Sequence, residues 1–207
     1  NYPISWSFTP ELTGVTASRE WLMREAEQTG ADYMCFLDGD IECTHPDWLE
    51  RLLQHHENGV STGKLVLPDG MIWSAGGCWG TTRREATCRG FHGPDRPEFS
   101  EPCQVPHVPT ALAFMRMDLV RRLHMDVRGL APSALEDTDL CMQVQFDHGE
   151  SCWYWPDVVA MHHSYSWRER TGRSIDEDPE RHRREFAQSE QAFWNKWGAR
   201  IRERWGV

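Results

Sequence analysis

Tyr33-Met34-Cys35-Phe36-Leu37-Asp38-Gly39-Asp40 is the stretch of this chain that decides the fold. An apolar run of strand length predicts a strand that is buried on both faces, as in a parallel sheet covered by helices. Ligands of open α/β sheets bind outside the carboxyl ends of the strands, where Asp38 and Asp40 would lie. Two hard oxygen ligands one residue apart suit Mg²⁺ or Mn²⁺. Because Asp-Gly-Asp is also a common turn, the tripeptide alone leaves both interpretations open.

Length, charge and cysteine content narrow the class of protein. The 207 residues are enough for one domain with a substantial core, and the formal charge of −10 predicts no nucleic-acid partner. The sequence has no apolar run of membrane-spanning length and no Cys-x-x-Cys pair among its seven cysteines. We therefore expect a cytoplasmic protein without a disulfide framework. A basic face on its last helix leaves peripheral membrane association as the alternative.

The predicted elements alternate between strands and helices. Residues 1–8 are predicted to form a short strand and residues 16–28 a helix that buries Ala17, Trp21, Leu22 and Ala26. With the strand that ends at Leu37, this order makes a parallel α/β unit. We predict a long surface loop at 81–106 and a C-terminal helix at 176–205. The chain is thus predicted to be a single α/β domain, 1–207, with a mixed, mostly parallel sheet flanked by helices.

Three clusters of acids or imidazoles fall at the loop-facing ends of predicted elements. They are Asp38 with Asp40, Glu136 with Asp137 and Asp139, and His162 with His163. Each has a purely structural alternative, because acids at a helix start are usually caps and a histidine after a strand is more often hydrogen-bonded than ligating. Their joint occurrence predicts that they converge on one site.

Six segments carry a further pattern. They are residues 36–40 (FLDGD), 65–70 with 74–77 (LVLPDG and SAGG), 108–116 (VPTALAFMR), 136–141 (EDTDLC), 162–164 (HHS) and 193–198 (FWNKWG). In this order they resemble the motifs of the family 2 glycosyltransferases with the GT-A fold, especially the bacterial rhamnosyltransferase-like branch. The resemblance implies a Rossmann-like GT-A domain that moves a sugar from a nucleotide-sugar donor to a hydroxyl of a glycan, lipid-linked or protein acceptor.

The resemblance also implies roles for individual residues. Asp38 and Asp40 would hold the donor and a Mn²⁺ or Mg²⁺ ion, which would act as a Lewis acid on the departing diphosphate. One of His162 and His163 would complete the coordination, and we choose His162. Asp137 matches the general base, with Glu136 beside it, and one base acting on an attacking hydroxyl gives inversion. Further candidate donor or acceptor contacts are Gly76, Gly77, Thr110, Asp139 and His163, although Asp139 could equally be a helix cap.

The chain departs from the family pattern before Asp38. Family members usually place a further strand, acidic loop and helix there, whereas only one strand and one helix are predicted here. We therefore expect a fragment, a chain whose missing part another chain supplies, or an unusual short form. The sheet should show an unfilled edge near the strands of Phe8 and Asp38, or a partner strand there. Two alternatives stay open: a degenerate half-domain that acts as a scaffold or binding module, and a metal-dependent nucleotidyltransferase that uses the aspartates but does not need Glu136 and Asp137.

Overall fold

The computed structural model describes residues 14–80, 85–130, 134–163 and 179–207. The helices are α1 (Gly14–Glu27), α2 (Trp48–Leu53), α3 (Met117–Val120), α4 (Glu136–Met142) and α5 (Pro179–Trp205). The strands are β1 (Tyr33–Leu37), β2 (Ile41–Cys43), β3 (Val60–Val66), β4 (Ile72–Ser74), β5 (Gly77–Trp79), β6 (Ala86–Cys88), β7 (Cys103–Val105), β8 (Leu112–Arg116) and β9 (Cys152–His162). A short 3₁₀ turn covers Pro97–Phe99, and a π-helical turn, Gln143–Asp147, follows α4.

The central sheet has seven strands and mixed direction. Its order is β1-β8-β3-β9-β2, with β4 paired to β3 and β7 paired to β9, while β5 and β6 form a separate hairpin. The predicted mixed α/β fold is confirmed. The expectation of a mostly parallel sheet is wrong for the described strands, since only β3 and β9 pair in parallel. The physical reason is that β8 enters antiparallel between β1 and β3, and the short strands β2, β4 and β7 also pair antiparallel.

Two apolar cores lie on opposite faces of this sheet. Alternate residues of β8 show this, because Ala113 and Met115 belong to one cluster and Leu112 and Phe114 to the other. The larger cluster packs residues of α1, α3, α4 and α5, whereas the smaller one packs α2. The result is a sheet between two layers of helix, with both long helices on the face that also carries α4.

The buried face of α1 differs from the predicted one. Leu22 is 44% exposed, whereas Thr16 and Met23 are completely buried. These two residues are seven positions apart, which is two helical turns, so they define one face of the helix. Arg19 lies between them on that face, which directs its guanidinium into the molecule rather than into solvent.

Strand β1 is less buried than the apolar run predicts. Among the described residues it pairs with β8 alone, and only Phe36 of its five residues is buried while Leu37 is 44% exposed. The strand predicted at residues 1–8 lies outside the described residues. The predicted partner for this edge therefore stays a prediction.

The segment predicted as a long surface loop is ordered by regular contacts. Its described part, residues 85–106, contains β6, the 3₁₀ turn and β7, which pairs with β9. The hydroxyl of Tyr154 donates to the carbonyl of Phe99 at 2.7 Å, and Lys64 Nζ pairs with Asp95 Oδ2 at 2.7 Å. Polar side chains therefore hold this part of the segment against the sheet, and the surface loop over 81–106 as a whole stays a prediction.

All seven cysteines are free thiols. None of the helices in the described part of the chain combines the length and the apolar character that crossing a bilayer requires.

Candidate active site

The pairing of β2 with β9 brings the first and last predicted clusters together. Ile41 pairs with His162 in this ladder, and the His163 N–H donates to the carbonyl of Asp40 at 2.9 Å. As a result, one ligand atom each from Asp38, Asp40 and His162 all lie within 4.8 Å of one another. The sequence analysis did not predict β2, the three-residue strand that produces this arrangement.

The environment of His162 suits a metal ligand. The side chain is 7% exposed, and its ring stacks on Trp73 with centroids 4.1 Å apart and planes 7° apart. Nε2 lies 3.9 Å from Asp40 Oδ1, while Nδ1 is buried without a hydrogen-bond partner among the described residues. Burial lowers the pKa of His162, and the charges of Asp40 and Asp38 oppose that shift. The burial favours the neutral ring, which is the form that binds metal ions, so two carboxylates and this imidazole fit Mn²⁺ or Mg²⁺.

Arg19 joins Asp38, Asp40 and His162, which we call the candidate metal-ligand cluster, to the acids of α4. Its Nη1 lies 2.6 Å from Glu136 Oε1, and its Nη2 lies 3.2 Å from Asp38 Oδ1. The Arg19 side chain is only 12% exposed, so this guanidinium is a nearly buried bridge between two carboxylates. The sequence analysis missed Arg19, although its spacing from Thr16 and Met23 could have placed it on the inner face of α1.

The two candidate catalytic acids differ in how their oxygens are used. Glu136 accepts from Arg19 with one oxygen and from the Ala134 N–H, at 2.8 Å, with the other. Asp137 Oδ1 accepts from the N–H and the hydroxyl of Thr138, whereas its Oδ2 has no hydrogen bond to any described residue. Burial raises the pKa of both acids, and the positive charge of Arg19 opposes the rise. The Oδ2 atom of Asp137 can therefore accept a proton without breaking a hydrogen bond to a described residue.

The turn that leads into α4 has unusual backbone angles. Ala134 has φ 135° and Leu135 has φ 63°, and both values lie in the region that favours glycine. Such residues each cost on the order of 1–3 kcal/mol and persist only where surrounding contacts hold them. These two residues directly precede Glu136 and Asp137, so the acids leave a strained turn.

Asp139 lies away from solvent and joins α4 to α5. It is 1% exposed, and its carboxylate accepts from Lys196 Nζ, Trp197 Nε1 and Gln143 Nε2. The N-cap of α4 is Leu135 and no side chain caps it, so the helix-cap alternative is wrong. The acceptor contact of Asp139 stays a prediction. A buried carboxylate needs several donors, and no local pattern indicated that α5 supplies two of the three that Asp139 has.

The paired glycines are packing positions. A Cβ on Gly76, which has φ 82°, would lie 2.7 Å from Val105 Cγ1, and one on Gly77 would lie 2.3 Å from the His107 ring. Both glycines are buried, and their predicted contact with donor or acceptor stays a prediction. They are needed here because neighbouring side chains fill the space that a Cβ would occupy.

The last two predicted contacts lie near the candidate metal-ligand cluster but outside it. Thr110 is 1% exposed, and its hydroxyl has no hydrogen-bond partner in the described chain. The next residue, Ala111, accepts from the Asp38 N–H at 3.0 Å, which places Thr110 close to the turn after β1. His163 pairs through Nε2 with Glu42 at 3.0 Å, and it is His162 that lies with the two aspartates.

Comparison with known proteins identifies a related fold but no sequence family. No protein-family model matches the chain, and no curated protein matches it either. The crystal structure of GalNAc-T7 with UDP, GalNAc and Mn²⁺ matches with a TM-score of 0.56 and 14% identity over 75% of this chain and 31% of that one. The fold is GT-A-like. A197 from STIV also matches, with a TM-score of 0.45 and 14% identity over 71% of this chain and 66% of that one.

The GT-A-like fold agrees with the Rossmann-like arrangement that the sequence predicted. The matched region spans about a third of the GalNAc-T7 chain, so the likeness concerns one part of that protein. Membership of family 2 and of the rhamnosyltransferase-like branch remains a prediction.

Proposed function

We propose that this chain is an inverting, metal-dependent glycosyltransferase that uses a nucleotide-sugar donor. The observation that carries the proposal is the convergence of Asp38, Asp40 and His162, linked through Arg19 to Glu136, which is the neighbour of Asp137. The GT-A-like fold supports it, as does the presence of UDP, GalNAc and Mn²⁺ in the GalNAc-T7 structure. The site thus offers a place for a cation beside a place for a base.

The donor half of the reaction needs charge neutralisation. Asp38, Asp40 and His162 would hold Mn²⁺ or Mg²⁺, which when bound supplies a Lewis acid toward the departing diphosphate. Stacking on Trp73 fixes the ring of His162, and the hydrogen bond from the His163 N–H fixes the backbone of Asp40. These contacts orient the ligand side chains before any donor binds, which lowers the cost of ordering them on binding.

The acceptor half of the reaction needs a base. Asp137 Oδ2 would take the proton from an acceptor hydroxyl while that oxygen attacks the anomeric carbon and the bond to the diphosphate breaks. A single displacement of this kind inverts the anomeric centre. Burial raises the pKa of Asp137, which makes it a stronger proton acceptor than an exposed aspartate. Glycans, lipid-linked sugars and proteins are the candidate acceptors.

A donor-hydrolysis screen tests the proposed function. We expect one nucleotide sugar among a panel to release its nucleoside diphosphate in the presence of Mn²⁺, and EDTA to abolish that release. Release of pyrophosphate from a nucleoside triphosphate would instead favour the nucleotidyltransferase alternative. If calorimetry with Mn²⁺ and a panel of nucleoside diphosphates detects no binding to the folded protein, that result would favour the scaffold alternative.

Replacing Arg19 should change the affinity for the metal ion. Arg19→Met removes a fixed positive charge that lies 3.2 Å from Asp38, so Mn²⁺ should bind roughly fivefold more tightly, which corresponds to about 1 kcal/mol of relieved repulsion. Calorimetric titration with Mn²⁺ measures this. Arg24→Met is the matched control, because Arg24 lies on the same helix but pairs with Glu20 and Glu27. Weaker Mn²⁺ binding in Arg19→Met would show that Arg19 supports the cation site rather than competing with the cation.

A further inference from the structure

Asp139 is a buried acid whose donors come largely from α5. Its carboxylate accepts from Lys196 Nζ at 2.8 and 3.1 Å, from Trp197 Nε1 at 2.5 Å and from Gln143 Nε2 at 2.8 Å. A buried carboxylate is stable only where opposite charge and donors replace water. The amine and the indole of α5 supply both, so they fix the position of Asp139.

The position of Asp139 also determines the position of the candidate catalytic acids. Asp139 is three residues after Glu136 and two after Asp137 within the seven-residue helix α4. Its N–H donates to the carbonyl of Leu135 at 2.7 Å, which ties it to the strained turn before the acids. Backbone preference alone does not fix the first residues of a short helix that begins directly after a strained turn. The contacts of Asp139 with α5 are therefore a constraint on both acids.

We propose that Lys196 and Trp197 are positioning residues, which act through Asp139 to hold Glu136 and Asp137 in place. For its catalytic consequences the inference rests on the proposed glycosyltransferase function, but its structural part does not. The inference also assigns a role to the Lys-Trp pair within residues 193–198, a segment for which the family resemblance implied no role. The long C-terminal helix thus helps to orient the candidate catalytic acids.

Arg200 provides a matched control on the same helix. It lies one turn after Lys196, and its Nη1 pairs with Asp147 at 2.7 Å in the π-helical turn that follows α4. The Lys196 and Arg200 side chains are similarly exposed, at 34% and 44%. Truncating either one removes an ion pair between α5 and a segment next to it. Only the Lys196 pair reaches the helix that carries the acids.

Hydrogen exchange and steady-state kinetics of Lys196→Met and Arg200→Met test the inference. In Lys196→Met, amide exchange across residues 134–139 should accelerate on the order of tenfold, because a charge-assisted bond is lost. The kcat should fall on the order of 100-fold with little change in the KM for the donor, as expected for misplaced catalytic groups. Arg200→Met should change both quantities much less, because Arg200 lies over the Trp197 ring but forms no hydrogen bond to Asp139 among the described residues. Lys196→Arg should recover part of each.

Equal effects of the Lys196 and Arg200 truncations would overturn the inference, because the loss would then reflect general docking of α5. Unchanged exchange across residues 134–139 in Lys196→Met would overturn it as well. If the wild type transfers no sugar, the proposed function fails while the exchange measurement still decides the structural claim. If Lys196→Met does not fold, Trp197→Phe, which removes one donor and keeps an aromatic ring, carries the same comparison.

Discussion

Asp137→Asn is expected to lower kcat by about 10²- to 10⁴-fold, the range that a positioned general base contributes. Asparagine keeps the shape of the side chain and can accept from Thr138 with its amide oxygen, but it cannot take a proton from the acceptor. Glu136 cannot easily replace the base, because Arg19 and the Ala134 N–H occupy both of its oxygens. The measurement is kcat with the donor found by the screen, together with the anomeric configuration of the product.

The pH dependence of the wild type gives a second measurement on Asp137. The base acts when deprotonated, so kcat/KM should rise with pH through the pKa of Asp137, which burial places above 3.8, the ordinary value of an aspartate. A carboxyl whose pKa is raised on folding stabilises the protein when protonated and loses that contribution as the pH rises through its pKa. The neutral amide introduced by Asp137→Asn should therefore cause no loss of Tm at neutral pH.

A control variant separates the loss of kcat in Asp137→Asn from the effect of removing an acidic charge in general. Asp118→Asn alters an exposed acid that pairs with Arg116 and lies outside the described site, so its kcat should stay near the wild-type value. Near-normal activity of Asp137→Asn would remove Asp137 from the mechanism and favour the nucleotidyltransferase alternative, which does not need this acid.

The parts of the site that sequence could predict are those marked by local patterns. An apolar run that ends at Leu37 followed by Asp38 and Asp40 marks a strand end, and His162 likewise follows an apolar strand. The strand β2 escaped prediction because three residues carry no measurable periodicity. Yet it is the pairing of Ile41 with His162 that makes the two strand ends into one cluster.

The contacts that complete the site connect distant segments, and no local pattern records them. Arg19 and Glu136 are 117 positions apart, and Lys196 is 57 positions from Asp139. On a helix surface a charged residue usually indicates a solvated face, so Arg19 was overlooked until the burial of Thr16 and Met23 showed which face of α1 is internal. Similarly, an acid near a helix start suggests a cap, and the approach of α5 supplies two of the three donors of Asp139.

Asp40→Asn is expected to weaken Mn²⁺ binding by more than about 100-fold, a larger loss than Asp38→Asn should cause. Both oxygens of Asp38 lie within 3.4 Å of Arg19 Nη2, so a cation already neutralises part of its charge. Asp40 has no such cation among the described residues, and its Oδ1 faces Nε2 of His162 at 3.9 Å. Titration with Mn²⁺ in the absence of donor measures the affinity. Because an imidazole nitrogen is a softer ligand than a carboxylate oxygen, the wild type should bind Mn²⁺ more tightly than Mg²⁺.

Glu42→Gln is the matched control for this prediction. Glu42 is two residues after Asp40, but it is exposed and pairs with His163, so its replacement should leave Mn²⁺ affinity unchanged. Loss of Mn²⁺ binding in Asp38→Asn but not in Asp40→Asn would place the ion on the Arg19 side of the cluster. If both variants bind Mn²⁺ as the wild type does, the three residues are no metal site, and the proposed transferase loses the charge that its diphosphate leaving group requires.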